Sequence, residues 1–135
     1  MEEAIARYPQ MRQRIITPGY IPDHDLAAIY SGAIAFLFPS HAEGFGIPPL
    51  EAMQCGTPVI SSNAPALPEV LGNAALLLDP QDLDEWCKAM VSMARNSSLR
   101  EELRRKGLEQ AAKFTWQRFI EATLRGYAVA LQKDV

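Results

Sequence analysis

Short apolar runs alternate with helix-like segments along this chain, and this alternation limits the fold more than any other feature. Residues 34–38 are apolar throughout, and residues 58–61 and 75–78 form similar runs bounded by glycine, proline or polar residues. Such runs are typical of strands that are buried on both faces of a sheet. Because helical patterns separate them, we expect parallel strands joined by crossover helices.

A fourth strand is expected over residues 14–17, stopped by Pro18 and Gly19. The fold class is therefore α/β: a Rossmann-like parallel sheet of about four strands with helices on both faces, followed by a helical tail. Doubly wound sheets have about five or six strands, so we expect one or two leading βα units to be missing. The predicted helices cover residues 2–13, 23–30, 48–55, 67–71, 82–95, 98–113 and 116–132.

Several side chains have predicted local roles within this fold. Asp23, Ser98 and Thr115 are expected to cap the amino termini of helices. The remaining expectations concern burial. Trp86 and Trp116 are expected to pack in the core or between helices, and Cys55 and Cys87 to be buried and reduced.

The charges of the chain are unevenly distributed. It carries 13 Lys and Arg against 16 Asp and Glu, for a net charge of −3, yet residues 15–87 contain no Lys or Arg. Residues 88–135 hold most of the bases, interleaved with acids on predicted helices, so nucleic acid is not an expected partner. A solvated helix surface is the favoured interpretation, and a basic face beside an anionic membrane or partner is the alternative.

The longest apolar runs are too short to cross a bilayer, and residues 1–14 lack the pattern of a signal or transit peptide. We therefore expect a cytoplasmic protein. Peripheral attachment of a longer parent enzyme to a membrane stays open at this point.

The loop over residues 39–46 carries the chemistry. It follows a predicted buried strand and leads into a helix, which is where open α/β sheets bind ligands. Gly44 and Gly46 allow a ligand to approach the backbone, and free N–H groups at a helix start favour an anion or an oxygen-rich group. Glu43 and Glu51 flank this loop, and a carboxylate is a good acceptor for vicinal sugar hydroxyls. The pattern favours a sugar diphosphate over the paired carboxylates of a glycosidase.

These residues resemble a known family. Residues 43–53 read Glu-Gly-Phe-Gly-Ile-Pro-Pro-Leu-Glu-Ala-Met, and residues 55–60 read Cys-Gly-Thr-Pro-Val-Ile. The spacing of the two glutamates is similar to the Glu-x7-Glu signature of the retaining family 4 glycosyltransferases, the group 1 family of the GT-B fold. The resemblance runs from about residue 16 to residue 116. It implies that the chain is the carboxyl-terminal, donor-binding half of such an enzyme.

The resemblance also implies roles for particular residues. Glu43 is the catalytic residue and contacts the donor sugar beside its anomeric carbon, Glu51 holds the ribose hydroxyls, and Tyr20 lies near the nucleobase. The main-chain N–H groups of four residues bind the sugar and the distal phosphate: Gly44, Phe45, Gly46 and Ile47. Transfer retains the anomeric configuration, and neither a metal nor a cofactor is expected. GDP-mannose is the expected donor, with UDP-sugars left open.

Part of the family pattern is missing. The Arg and Lys that clamp the diphosphate, and a glycine-rich turn after the domain's first strand, are not visible in the sequence. We therefore expect residues 1–135 to be one partial nucleotide-sugar-binding domain with little transferase activity alone. Its expected partner is the amino-terminal acceptor domain of a parent enzyme, and an exposed core would favour self-association into a homo-oligomer.

Other interpretations remain open from the sequence. The chain could be a non-catalytic nucleotide-sugar-binding or interaction module, or half of a split enzyme. A sugar epimerase of the same fold is a third possibility, against which the spacing of the two glutamates argues. For single residues, Phe45 could anchor the loop, Tyr20 could pack in a turn, and Glu51 could serve only the helix dipole.

Overall fold

A computed structural model describes residues 7–132 of the chain, and it shows an α/β architecture. Three strands and six α-helices form within these residues. In chain order they are α1 (Asp23–Gly32), β1 (Phe36–Phe38), α2 (Ile47–Gln54), β2 (Val59–Ser62), α3 (Leu67–Leu71), β3 (Ala75–Leu78), α4 (Leu83–Arg95), α5 (Ser97–Ala111) and α6 (Trp116–Gln132). Two short 3₁₀ segments, Pro9–Arg14 and Gly72–Ala74, complete the order.

The three strands form one parallel sheet in the order β1-β2-β3. Ile60 of β2 lies opposite Leu37 on one side and Leu76 on the other, so β2 is the central strand. Every residue of β2 is buried, as expected for a parallel strand covered on both faces.

Helices cover both faces of the sheet. On one face α2, α3 and the end of α5 pack against Val59, and on the other α4 and the first part of α5 pack against Ile60. Gly107 brings α5 close to α2, because a Cβ atom at this position would lie 3.2 Å from Met53 Cγ. The expected fold class, including the helical tail, is therefore confirmed.

The number of strands is a correction, since three form where about four were expected. Residues 14–17 do not pair with any described strand. Ile15 has extended backbone angles but is exposed, and Pro9–Arg14 before it is a 3₁₀ helix. A strand needs a neighbour to accept its backbone hydrogen bonds, and extended angles alone do not supply one. The first part of the helix expected over residues 2–13 lies outside the described residues.

The helix starts are partly as expected. Thr115 caps α6, because its Oγ1 accepts a hydrogen bond from the Arg118 amide at 3.3 Å. Asn96, rather than Ser98, caps α5 by accepting from the Leu99 amide at 3.0 Å. Asp23 is the first residue of α1 instead of its cap.

Burial corrects two further expectations. Trp86 is buried, as predicted, but Trp116 is 81% exposed on α6. Cys87 is also exposed, while Cys55 is half-buried, and both are free thiols. Within residues 7–132, each helix is too short or too polar to span a lipid bilayer.

Candidate functional site

The loop over residues 39–46 lies at the carboxyl end of β1 and leads directly into α2. Strands β1 and β2 are parallel, so their carboxyl ends lie at the same edge of the sheet. The Ser62 hydroxyl at the end of β2 donates a hydrogen bond to the Ser40 carbonyl. The loop is therefore attached to the central strand at the edge where α/β folds bind ligands.

Gly46 gives the loop its shape at the start of α2. Its φ of +96° lies in the left-handed region, and the residue is buried against Leu67 of α3. Only glycine takes this conformation without strain, and a Cβ atom there would lie 2.5 Å from Leu67 Cδ2. The loop consequently turns sharply here, between the exposed residues Phe45 and Ile47.

The amides of the loop are free of internal partners. The N–H groups of four consecutive residues make no hydrogen bond to any atom that the structure describes: Gly44, Phe45, Gly46 and Ile47. Pro48 and Pro49, the next two residues of α2, have no N–H group at all. The unpartnered donors at this helix start thus include the four residues that the sequence singled out, beside the positive end of the helix dipole.

Glu43 is half-buried, and one of its carboxylate oxygens is held. The Ser40 hydroxyl lies 2.9 Å from Glu43 Oε1 and 3.1 Å from the Ala42 carbonyl oxygen. A carboxylate accepts several hydrogen bonds, so Glu43 keeps capacity for a ligand hydroxyl. No sequence pattern pointed to Ser40 as its partner, although Ser40 belongs to the same loop.

Glu51 lies on α2 one residue beyond the first turn, because the helix begins at Ile47, slightly earlier than predicted. Its Oε2 accepts a long hydrogen bond of 3.4 Å from the Tyr30 hydroxyl of α1. Burial raises the pKa of Tyr30 above its ordinary value, and the neighbouring carboxylate of Glu51 adds to this shift. Tyr30 and Glu51 are distant in the sequence, and no local pattern predicted this contact.

The side chain of Phe45 anchors the loop. Its ring meets the ring of Phe114 edge to face, with the ring centroids 5.8 Å apart. Phe114 lies in the connection between α5 and α6, so the loop is tied to the helical end of the domain. The Phe45 ring is therefore engaged with Phe114, while its amide makes no described hydrogen bond.

Tyr20 is not brought to the loop by any described contact. Its ring is 87% exposed in the segment before α1, and it makes no hydrogen bond to a described residue. Two surface depressions also lie away from the loop, one beside Asn73 and Lys113 and one beside Asp79 and Leu83. The candidate site is therefore an open surface built by one loop and one helix start. No group of three metal-ligating side chains occurs among residues 7–132.

A known protein family matches the part of the chain that contains this loop. The family model described as glycosyl transferases group 1 matches residues 2–110. The chain belongs to this glycosyltransferase family. Group 1 members have the GT-B type of fold, in agreement with the parallel sheet and its flanking helices.

Curated group 1 relatives include mannosyltransferases. O-antigen chain mannosyltransferase B of Escherichia coli is 44% identical over 109 residues, which are 81% of this chain and 29% of the relative. The serotype-specific mannosyltransferase WbdA of Escherichia coli is 37% identical over 127 residues, 94% of this chain and 16% of the relative. The chain thus spans less than a third of these relatives.

Two solved structures share the fold. Sucrose-phosphate synthase of Thermosynechococcus elongatus superimposes with a TM-score of 0.86 at 28% identity, over 98% of this chain and 34% of that protein. The carboxyl-terminal domain of a group 1 glycosyl transferase from Francisella tularensis has a TM-score of 0.72 at 25% identity, over 83% of this chain and 58% of that one. Both share the α/β fold of this chain, and the second is itself a group 1 family protein.

Proposed function

We propose that this chain is the donor-binding part of a retaining glycosyltransferase that moves a sugar, with mannose the first candidate, from a nucleoside diphosphate sugar to an acceptor. The observation that carries the proposal is the row of four unpartnered amides at the start of α2, which lie in the sequence between two half-buried carboxylates. Group 1 membership supports the same assignment.

The amides serve the leaving group. The bond between the anomeric carbon and the phosphate oxygen breaks, and negative charge grows on that oxygen. The N–H groups of Gly46 and Ile47, together with the positive end of α2, stabilise this charge where it develops. The acceptor oxygen forms the new bond from the same face of the sugar, and its proton passes to the departing phosphate.

The carboxylates serve the two sugar rings of the donor. Glu43 accepts hydrogen bonds from hydroxyls of the transferred sugar through the oxygen that Ser40 does not hold. Glu51 accepts from the ribose hydroxyls beside its contact with Tyr30. The exposed ring of Tyr20 is available to stack on the nucleobase, which requires its segment to close on the donor.

The sequence that contains the candidate site lacks positively charged side chains. Residues 15–87 hold no Lys or Arg, although a diphosphate requires counter-charges. We propose that other parts of the parent enzyme, including an amino-terminal domain, provide those cations and bind the acceptor. Mannose, as GDP-mannose, is proposed because two similar proteins are mannosyltransferases, and UDP-sugars are the alternative donors.

Calorimetric titration of the full-length protein with a panel of nucleotide sugars tests this function. We expect saturable binding of one donor, and a loss of at least about ten-fold in affinity for Glu43→Ala and for Glu51→Ala, since each removes a charged hydrogen-bond partner. Glu101→Ala, which removes an exposed acid on α5, is the matched control. It should bind the donor with the same affinity as the unsubstituted protein.

Binding accompanied by sugar transfer supports the enzyme. Donor binding without transfer to any acceptor would favour the non-catalytic module. Equal donor affinities of the unsubstituted protein and of both glutamate variants would contradict the proposed site.

A further inference from the structure

We propose that Ser62 and Ser40 are positioning residues that hold the carboxylate of Glu43, a proposal that rests on the donor-binding role proposed above. The Ser62 hydroxyl donates to the Ser40 carbonyl, and the Ser40 hydroxyl donates to Glu43 Oε1 at 2.9 Å. Hydrogen bonds thus link the central strand of the sheet to the carboxylate on the loop.

Ser62 is a rigid starting point for this link. It is fully buried at the end of β2, where it lies opposite Leu78 of β3. The next residue, Asn63, donates its amide to the Leu78 carbonyl at 2.8 Å, so the backbone is held on that side. A buried hydroxyl is costly without a partner, and that of Ser62 obtains its partner from the loop. The loop backbone at Ser40 therefore cannot move without breaking this part-buried hydrogen bond.

Ser40 divides one proton between two acceptors. Its hydroxyl lies near the Ala42 carbonyl and near Glu43 Oε1, but a serine hydroxyl donates only once at a time. The charged carboxylate is the stronger acceptor, so the bond to Glu43 is favoured. One oxygen of Glu43 is held by this bond, and the other is left pointing to a bound sugar. The carboxylate is thereby oriented before the donor arrives.

A double-mutant cycle tests the link in the full-length protein. The kcat/KM for the donor is measured in the parent, Ser40→Ala, Glu43→Ala and the double variant. Because a hydrogen bond to a charged group is at stake, Ser40→Ala should lower kcat/KM about ten-fold in the parent. In the Glu43→Ala background the same change should alter kcat/KM by less than about two-fold, since the hydroxyl then has no carboxylate to hold.

Effects that multiply in the double variant would overturn the positioning role while leaving the donor-binding role of Glu43 intact. An unchanged kcat/KM in Glu43→Ala would overturn both proposals. If turnover of Glu43→Ala is too low to measure, the same cycle is read from the donor Kd by calorimetry.

Conservative variants separate positioning from folding. Ser40→Thr keeps the hydroxyl and should restore kcat/KM to near the parent value, and Ser62→Ala should lower it in the direction of Ser40→Ala. Ser31→Ala, which removes a serine-to-carbonyl hydrogen bond on an exposed turn of α1, should leave it unchanged. A Ser40→Thr variant as slow as Ser40→Ala would contradict the proposal, as would Ser40→Ala with a lower Tm but an unchanged kcat/KM.

Discussion

Gly46 lies directly against Leu67, with room for a hydrogen atom but not for a methyl group between them. A Cβ atom on Gly46 would come 2.5 Å from Leu67 Cδ2, and the residue has a φ of +96°. The contact fixes the start of α2 against α3, and the amides proposed to bind the donor belong to this turn. Backbone conformation and side-chain packing therefore both require glycine here.

Gly46→Ala should destabilise the domain by about 2–4 kcal/mol, because it combines a left-handed backbone with an overpacked contact. The free energy of unfolding in urea measures this. Gly44→Ala is the matched control: its added Cβ would meet no atom within 4 Å, and its φ is not positive. It should cost less than about 1 kcal/mol. Equal urea midpoints for the two variants would contradict the packing argument.

Ala66 is the one non-glycine residue with a positive φ, +72°, among the described residues. It precedes α3 and stores strain that glycine would release, so Ala66→Gly should raise the free energy of unfolding by about 0.5–1 kcal/mol. Ala64→Gly is expected to have the opposite sign, because Ala64 is buried without a positive φ and would lose packing and rigidity. Thermal unfolding of both variants checks the two signs. Destabilisation by Ala66→Gly would show that its backbone is not strained.

Ionisation of Tyr30 is expected to lower the stability of the domain at alkaline pH, which sets an alkaline limit. Its pKa is raised above the ordinary value of 10.0, first by burial and then by Glu51. A raised folded-state pKa means that this group's contribution is complete below the unfolded pKa and is lost as the pH rises through the folded one. Tyr30→Phe should therefore lose less stability than the parent when the pH rises above about 10.

Urea midpoints measured at neutral and at alkaline pH test the Tyr30 prediction. Tyr20→Phe is the control, because the Tyr20 ring is exposed and makes no described hydrogen bond. It should follow the parent curve. A Tyr30→Phe curve that also follows the parent would rule out the proposed alkaline limit.

Trp86 and Trp116 should respond in opposite ways to the same substitution. The Trp86 indole is 6% exposed, and its N–H donates to the Asp79 carbonyl at 2.9 Å. Trp86→Phe removes this donor and leaves a gap, for an expected cost of about 2–4 kcal/mol. Trp116→Phe on exposed α6 should change the stability by less than about 0.5 kcal/mol. Chemical unfolding of both variants measures the two changes in the free energy of unfolding. A large destabilisation by Trp116→Phe would contradict the prediction.

The sequence predicted those elements whose signals are local. Buried runs located β1, β2 and β3, and the repeat of apolar residues located α4 and α6. It failed where a partner decides the outcome. Residues 14–17 have strand-like composition but no paired neighbour, and the apolar side chains of α6, including Trp116, are exposed. Periodicity identifies an apolar face without showing what covers it.

The candidate site likewise combines local features, which the sequence predicted, with contacts between distant residues, which it did not predict. The glycines, the helix start and the two glutamates follow from neighbouring residues, so the sequence pattern located them. The contact between Phe45 and Phe114 and the hydrogen bond between Tyr30 and Glu51 join distant parts of the chain. The link from Ser62 to Ser40 likewise depends on the parallel pairing of β1 with β2. No local pattern encodes such contacts.

Amide NMR of the 15N-labelled full-length protein, titrated with GDP-mannose and with UDP-glucose, tests the central claim most directly. Unpartnered N–H groups that bind a sugar diphosphate should show the largest saturable shifts. The account predicts these shifts at four residues, Gly44, Phe45, Gly46 and Ile47, for at least one of the two donors. Shifts centred instead on the depression beside Asn73 and Lys113, or no shifts at millimolar donor, would contradict it.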